Sequence, residues 1–129
     1  MESWKKSFAH IADVCGVPAL QVLRTAVSEN YCSLIQGTTV AYEPATNPGD
    51  RTVCGACAVG YMYWKADDMD FADDVEEAVA ATFSEVAKKA GWDRAPDLFT
   101  NWYDETPRDE MRRELLPVID ANIRRLEAA

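Results

Sequence analysis

The chain has 129 residues, 48% of them hydrophobic and 27% charged, with a formal net charge of −9. That is the length of one domain and the composition of a globular one, able to bury roughly two-thirds of its unfolded surface. So acidic a surface repels phosphate backbones and anionic lipid, which disfavours nucleic acid and membrane as partners.

The acidity is uneven. Residues 1–30 balance Lys5, Lys6 and Arg24 against Glu2, Asp13 and Glu29, whereas residues 65–91 set three lysines against eight acids, a net of −5. The first residues hold no apolar core of a secretory signal, and no run is long enough to span a bilayer. Cys15, Cys32, Cys54 and Cys57 are therefore expected to be reduced thiols in a cytoplasmic protein.

In chain order, Ser3 caps a first helix whose Trp4, Phe8, Ile11 and Cys15 recur on one face. Gly16 ends it in a left-handed cap, and Pro18 suits the first turn of a second helix running to about Glu29. Tyr31 to Gln36 adds a further turn. Thr38 to Tyr42 is β-branched and extended, Glu43 to Arg51 is a proline-bearing loop, and Thr38–Tyr42 can pair with Arg51–Val53 as a short ribbon. Val53 to Trp64 (VCGACAVGYMYW) is the longest stretch without a charge. Gly55 and Gly60 argue against a strand, so it is expected as an inner helix, apolar nearly all round.

Asp67, Asp68 and Asp70 are natural caps for a helix from about Phe71 to Ala90, with the stripe Phe71, Val75, Val79, Phe83 and Val86. Its acids lie at the start, its lysines at the end, and Gly91 follows, as the helix dipole prefers. Trp92 to Glu105 is expected as a connector with one helical turn at Pro96–Thr100. Thr106-Pro107-Arg108-Asp109 then opens a last helix along Met111, Leu115, Val118, Ile119, Ile123 and Leu126, kinked at Pro117. The expected fold is all-α: a single-domain bundle, residues 1–129, of about five helices with a short β-ribbon around 38–53.

Three patterns bear on chemistry. Cys54-Gly55-Ala56-Cys57 at a helix start suits a redox pair, since dipole and second sulfur lower the first thiol's pKa. With Cys15 or His10 and Cys32 it could supply four zinc ligands, although a second closely spaced pair is lacking. The simpler reading makes these cysteines core filler, with no cofactor. Residues 8–27 resemble a helix-turn-helix unit in Ala12 to Pro18 followed by Val22 and Arg24. That resemblance implies a DNA-binding regulator reading bases through Ala19, Gln21 and Arg24, with Leu20 and Leu23 on the same exposed face. Few phosphate contacts support it.

Over Leu23 to Leu126, Tyr31-Cys32, the small-residue stretch Cys54 to Ala58, Trp102-Tyr103-Asp104 and the apolar last helix resemble a family of small uncharacterised actinobacterial and phage proteins. That family tends to carry Trp-Asn-Asp where this chain has Trp-Tyr-Asp. The resemblance implies a fold and a phage or actinobacterial setting, without a mechanism.

His10 is the one histidine and stands in no nucleophile pattern, so no catalytic residue is assigned. The aspartates of 67–74 lack the spacing of a calcium loop and read as a solvated helix start. The expected activity is binding of another macromolecule, a protein of basic character. Its contact surface joins Asp70, Asp73, Asp74, Glu76 and Glu77 to Trp92, Trp102, Tyr103 and Asp104, because tryptophan and tyrosine dominate interface anchors.

Overall fold

Helical periodicity and end signals account for most of the architecture in the computed structural model, which describes residues 3–45 and 47–129. Among these residues the chain forms six α-helices and one two-stranded sheet. α1 (Trp4–Cys15) is capped by the Ser3 hydroxyl, which accepts from Lys6 N, and it buries Ser7, Phe8, Ile11 and Ala12. Gly16 follows at φ +87° and ψ 170°, outside the left-handed helical well expected of it. Its N–H still closes on Ala12 O. α2 (Val17–Ser28) buries Ala19, Leu20, Leu23, Ala26 and Val27.

The stretch read as one inner helix is two elements. β1 (Val40–Tyr42) pairs antiparallel with β2 (Val53–Ala56), Val40 opposite Ala56 and Ala41 opposite Gly55, with an irregularity before Tyr42–Val53. Only from Ala58 does the chain coil, as α3 (Ala58–Ala66). The reason is close packing against residues 33–35. Ile35 N donates to Ala56 O and Ala56 N to Ser33 O, both at 2.9 Å. A Cβ at Gly55 would lie 3.3 Å from the Ile35 side chain and 3.4 Å from Ser33 O, so glycine here admits a neighbouring strand-like segment. The ribbon thus exists, and it reaches three residues further into the apolar run than expected.

α4 (Ala72–Ala90) keeps acids in its first turn, Lys88 and Lys89 in its last, and Gly91 at φ +70° beyond. Its N-cap is Phe71, without a side-chain hydrogen bond. The aspartates expected to cap it do other things. Asp67 ends α3, Asp68 takes φ +55°, and the Asp70 carbonyl accepts Val53 N at 2.9 Å. Residues 70–72 thereby run alongside 51–53, with Ala72 N donating to Arg51 O.

The expected connector is a sixth helix, α5 (Ala95–Glu105). Phe99, Trp102 and Tyr103 stand three and four residues apart, so they share the face that packs on α1. Trp4 stacks on Trp102 with centroids 3.6 Å apart, and Phe8 meets Phe99 at 4.9 Å. Beneath the rings the buried Ser7 hydroxyl donates to Ala95 O at 2.6 Å and accepts from Phe99 N at 3.3 Å. Thr106 is the C-cap of α5, its hydroxyl turned back to Trp102 O, so Pro107 rather than Thr106 is the N-cap of α6 (Arg108–Ala128). α6 runs unbroken through Pro117. Its first arginines close α2: Arg112 donates to Val27 O and Ser28 O, and Arg108 to Tyr31 O and Leu34 O. These carbonyls lie at the end of α2 and in the turn after it, where the helical ladder no longer supplies each of them with its usual partner. No described helix is long and apolar enough to cross a membrane.

Ser7→Ala strips the α1–α5 contact of the buried hydroxyl that tethers Ala95 O and Phe99 N while leaving its apolar packing in place. Urea denaturation of this variant is expected to show a loss of about 1–3 kcal/mol with an unchanged m-value.

Candidate functional site

Packing decides which of the sequence's candidate residues remain available. The expected contact surface divides in two. Asp70, Asp73, Asp74, Glu76 and Glu77 are all exposed at the start of α4. Trp92 follows its other end, and 19 helical residues span about 28 Å. One compact patch cannot hold both. Tyr103 is a core residue at 1% exposure, its hydroxyl donating to Ile35 O at 2.7 Å, and Trp102 is half-buried under Trp4. Of the aromatic residues expected as anchors only Trp92 stands out, 46% exposed. Asp104 is exposed and accepts Gly37 N at 2.9 Å.

The acids at the head of α4 have partners the sequence did not suggest. Asp68, Asp70, Asp74 and Glu77 rim an open groove of about 460 Å³ floored by Met69, Phe71, Ala78 and Ala81. Phe71 is 42% exposed, although its backbone is held by the bridge to Thr52. Among the described residues no lysine or arginine is ion-paired with these carboxylates; the ion pairs join Arg24–Asp120, Lys88–Glu85, Arg94–Asp97 and Arg125–Asp13. The groove is therefore apolar below and anionic above. Beyond the far end of α4 lies the opposite arrangement, a shallow hollow of about 370 Å³ lined by Lys6, His10, Lys89, Ala90 and Trp92.

The thiols are dispersed. Cys32 and Cys54 are exposed, Cys15 and Cys57 partly covered, and all four are free. Among the described residues no three His, Cys, Asp or Glu side chains are grouped so as to hold a metal ion. The redox reading of Cys54 and Cys57 meets a physical obstacle. Cys57 is the N-cap of α3, its sulfur accepting Gly60 N at 3.4 Å, but burial dominates and pushes the thiol up instead of down. Cys54 lies back on the strand, away from the helix end. Cys15 is pushed up to about 11, again mainly by burial, with Tyr63 hydrogen-bonded to it and working the other way. Tyr63 in turn bonds Thr82.

The first two helices do not present the base-reading face that a helix-turn-helix requires. Ala19 is buried at 7% exposure, Leu20 and Leu23 at 0%, because α2 packs on α3 and α6. Arg24 is held by Asp120 of α6, Nε to Oδ1 at 2.5 Å, and only Gln21 remains exposed and unengaged among the described residues.

A second cavity is smaller and more enclosed. It measures about 150 Å³, with Ala58, Val59, Val79, Phe83 and Phe99 as apolar wall and Thr38, Thr39, Thr100 and Asp104 as polar wall. Cys57 and Tyr103 also line it. Sequence reasoning missed it, since it joins four segments separated by up to 67 positions, and neither the Cys54–Cys57 pattern nor Trp102-Tyr103-Asp104 shows that they share a cavity.

No family model, curated protein or solved structure matches this chain.

Two classes of thiol are expected at pH 8 under native conditions: Cys32 and Cys54 react with a disulfide reagent at rates close to those of the unfolded chain, and Cys15 and Cys57 much more slowly. Peptide mapping after brief alkylation reads the order. Because Cys15 is raised in the folded state, its neutral form favours folding below the unfolded value of 9.0, and this contribution is lost as pH climbs towards about 11. Cys15→Ser is expected to flatten that part of the stability–pH curve.

Proposed function

We propose that the protein is a non-catalytic binding protein that takes a basic, amphipathic segment of another protein into the groove at the α3–α4 junction. One observation carries the reading: four carboxylates (Asp68, Asp70, Asp74, Glu77) surround the exposed Phe71 and the half-buried Met69 and are paired with no cation among the described residues. A segment placing one apolar side chain between lysines or arginines would meet both features at once. The apolar contact contributes affinity, and the charges contribute encounter rate and selectivity. Asp73 and Glu76, exposed on the same helix, extend the negative field without lining the groove.

The chain's overall charge of −9 favours such a partner at longer range. The resemblance to small actinobacterial and phage proteins suggests a setting, a modulator acting on a host protein in the cytoplasm. Nucleic acid fits poorly beside this groove, whose charge has the wrong sign.

A fluorescent peptide alternating lysine with leucine is a suitable probe, and its glutamate–leucine counterpart a control. Binding of the lysine peptide is expected to weaken steeply with salt. The triple variant Asp70→Lys, Asp74→Lys, Glu77→Lys is expected to weaken it at least about tenfold, and Phe71→Ala severalfold. Equal affinity of the triple variant and the parent overturns the reading.

A further inference from the structure

The enclosed cavity of about 150 Å³ lies apart from the acidic groove and shares no lining residue with it. A volume of this size with apolar walls admits a benzene-sized ring. The inner wall is buried: Ala58 and Val59 open α3, Val79 comes from α4, and Phe99 from α5. Gly37, Thr38 and Asp104 are the exposed lining residues, so the cavity opens on their side.

Most polar groups around it are already used within the fold. The Tyr103 hydroxyl donates to Ile35 O, the Thr100 hydroxyl to Pro96 O and the Thr38 hydroxyl to Val40 O, and the Cys57 sulfur receives Gly60 N. Asp104 is the one charged residue of the lining. Its Oδ1 accepts Gly37 N at 2.9 Å, which fixes the carboxylate at the opening, and among the described residues no cation is paired with it. A ligand whose ring fills the inner part would find the remaining oxygen of Asp104 at the entrance, the one anionic acceptor of the lining.

We propose that this cavity is a binding site for a small organic amine, a benzene-sized apolar body carrying one ammonium group that pairs with Asp104. Charge complementarity selects the cation over a neutral or anionic ligand of the same shape, and the cavity volume sets the upper size. The alkyl or aryl body would lie against Val59, Val79 and Phe83, and desolvation of that body would supply most of the affinity.

Benzylamine, toluene and benzoate, equal in ring and different in charge, are the probes, titrated into the isotopically labelled full chain and followed by amide shifts. Benzylamine at millimolar concentration is expected to move Val59, Val79 and Thr100 saturably, toluene to move them more weakly, and benzoate not at all. Asp104→Asn keeps an acceptor for Gly37 N, and it is expected to weaken benzylamine about fivefold, the scale of an exposed ion pair, while leaving toluene unchanged. Thr100→Leu, which fills the cavity from its partly exposed wall, is expected to abolish both. Absence of a saturable shift, equal binding of benzoate, or an Asp104→Asn variant that holds benzylamine as well as the parent each overturns the proposal. So does a benzylamine response confined to Asp74 and Glu77, which would locate the amine in the groove.

Discussion

The N–H of Cys57 reaches Thr39 O at 2.9 Å while its sulfur receives the N–H of Gly60, so one residue turns extended backbone into helix and is fixed from both sides. The turn can be this sharp because Gly60 has no side chain. A Cβ there would lie 3.0 Å from Thr39 O, 3.2 Å from Ala56 Cβ and 3.3 Å from Val75. The ribbon consequently meets α3 at backbone distance, and the Val75 side chain of α4 packs directly on the α3 backbone. The small cavity and the acidic groove both follow from that approach. The small cavity lies where the start of α3 faces α4 and α5, and the groove lies where the end of α3 hands over to α4.

α4 also sorts the charge. Acids gather at its start and lysines at its end because each complements the helix dipole. Here that local preference produces a molecule-scale separation, with Asp74 and Glu77 towards one end of a span of about 28 Å and Lys89 at the other. Opposite charges so far apart do not neutralise each other in physiological salt, where the screening length is about 8 Å. Each end therefore acts on its surroundings independently, and a chain with net negative charge can still carry a basic hollow beside Trp92.

Much of this was legible in the residues. α1, α2, α4 and α6 each bury one stripe against the core, and such stripes repeat every three or four positions. Val53–Trp64 defeated that test because β2 and α3 are both covered on nearly every side. A run apolar all round carries no period, and neither Gly55 nor Gly60 reveals that it makes room for a neighbour. α5 was misread for another reason. Pro96 and a bunch of aromatic rings suggested a connector with a single helical turn, yet Phe99, Trp102 and Tyr103 already had the spacing of one helix face, matched by Trp4 and Phe8 on α1. The exposed acids were recognisable, since charge stays in water. The apolar floor beneath them was not, because Phe71 is set beside Asp74 and Glu77 by hydrogen bonds between residues 51–53 and 70–72.

The interior leaves little chemistry to be used. Every buried side-chain nitrogen and oxygen among the described residues has a hydrogen-bond partner. Ser7 and Thr82 spend their hydroxyls on carbonyls of neighbouring or of their own helices, and Asn122 spends its amide within α6. Polar groups satisfied in a low-dielectric core rigidify it and offer nothing to a ligand. Of the two thiols that are partly covered, both are held in the neutral form by burial, which removes the thiolate a nucleophile requires. Groups still open to an interaction include the carboxylates at the edges of the groove and of the small cavity, and these stand beside apolar surface that water wets poorly. The two ligands proposed, a basic peptide segment at the groove and a small amine at the cavity, are both cations with an apolar body, and the difference between them is one of size and not of chemistry.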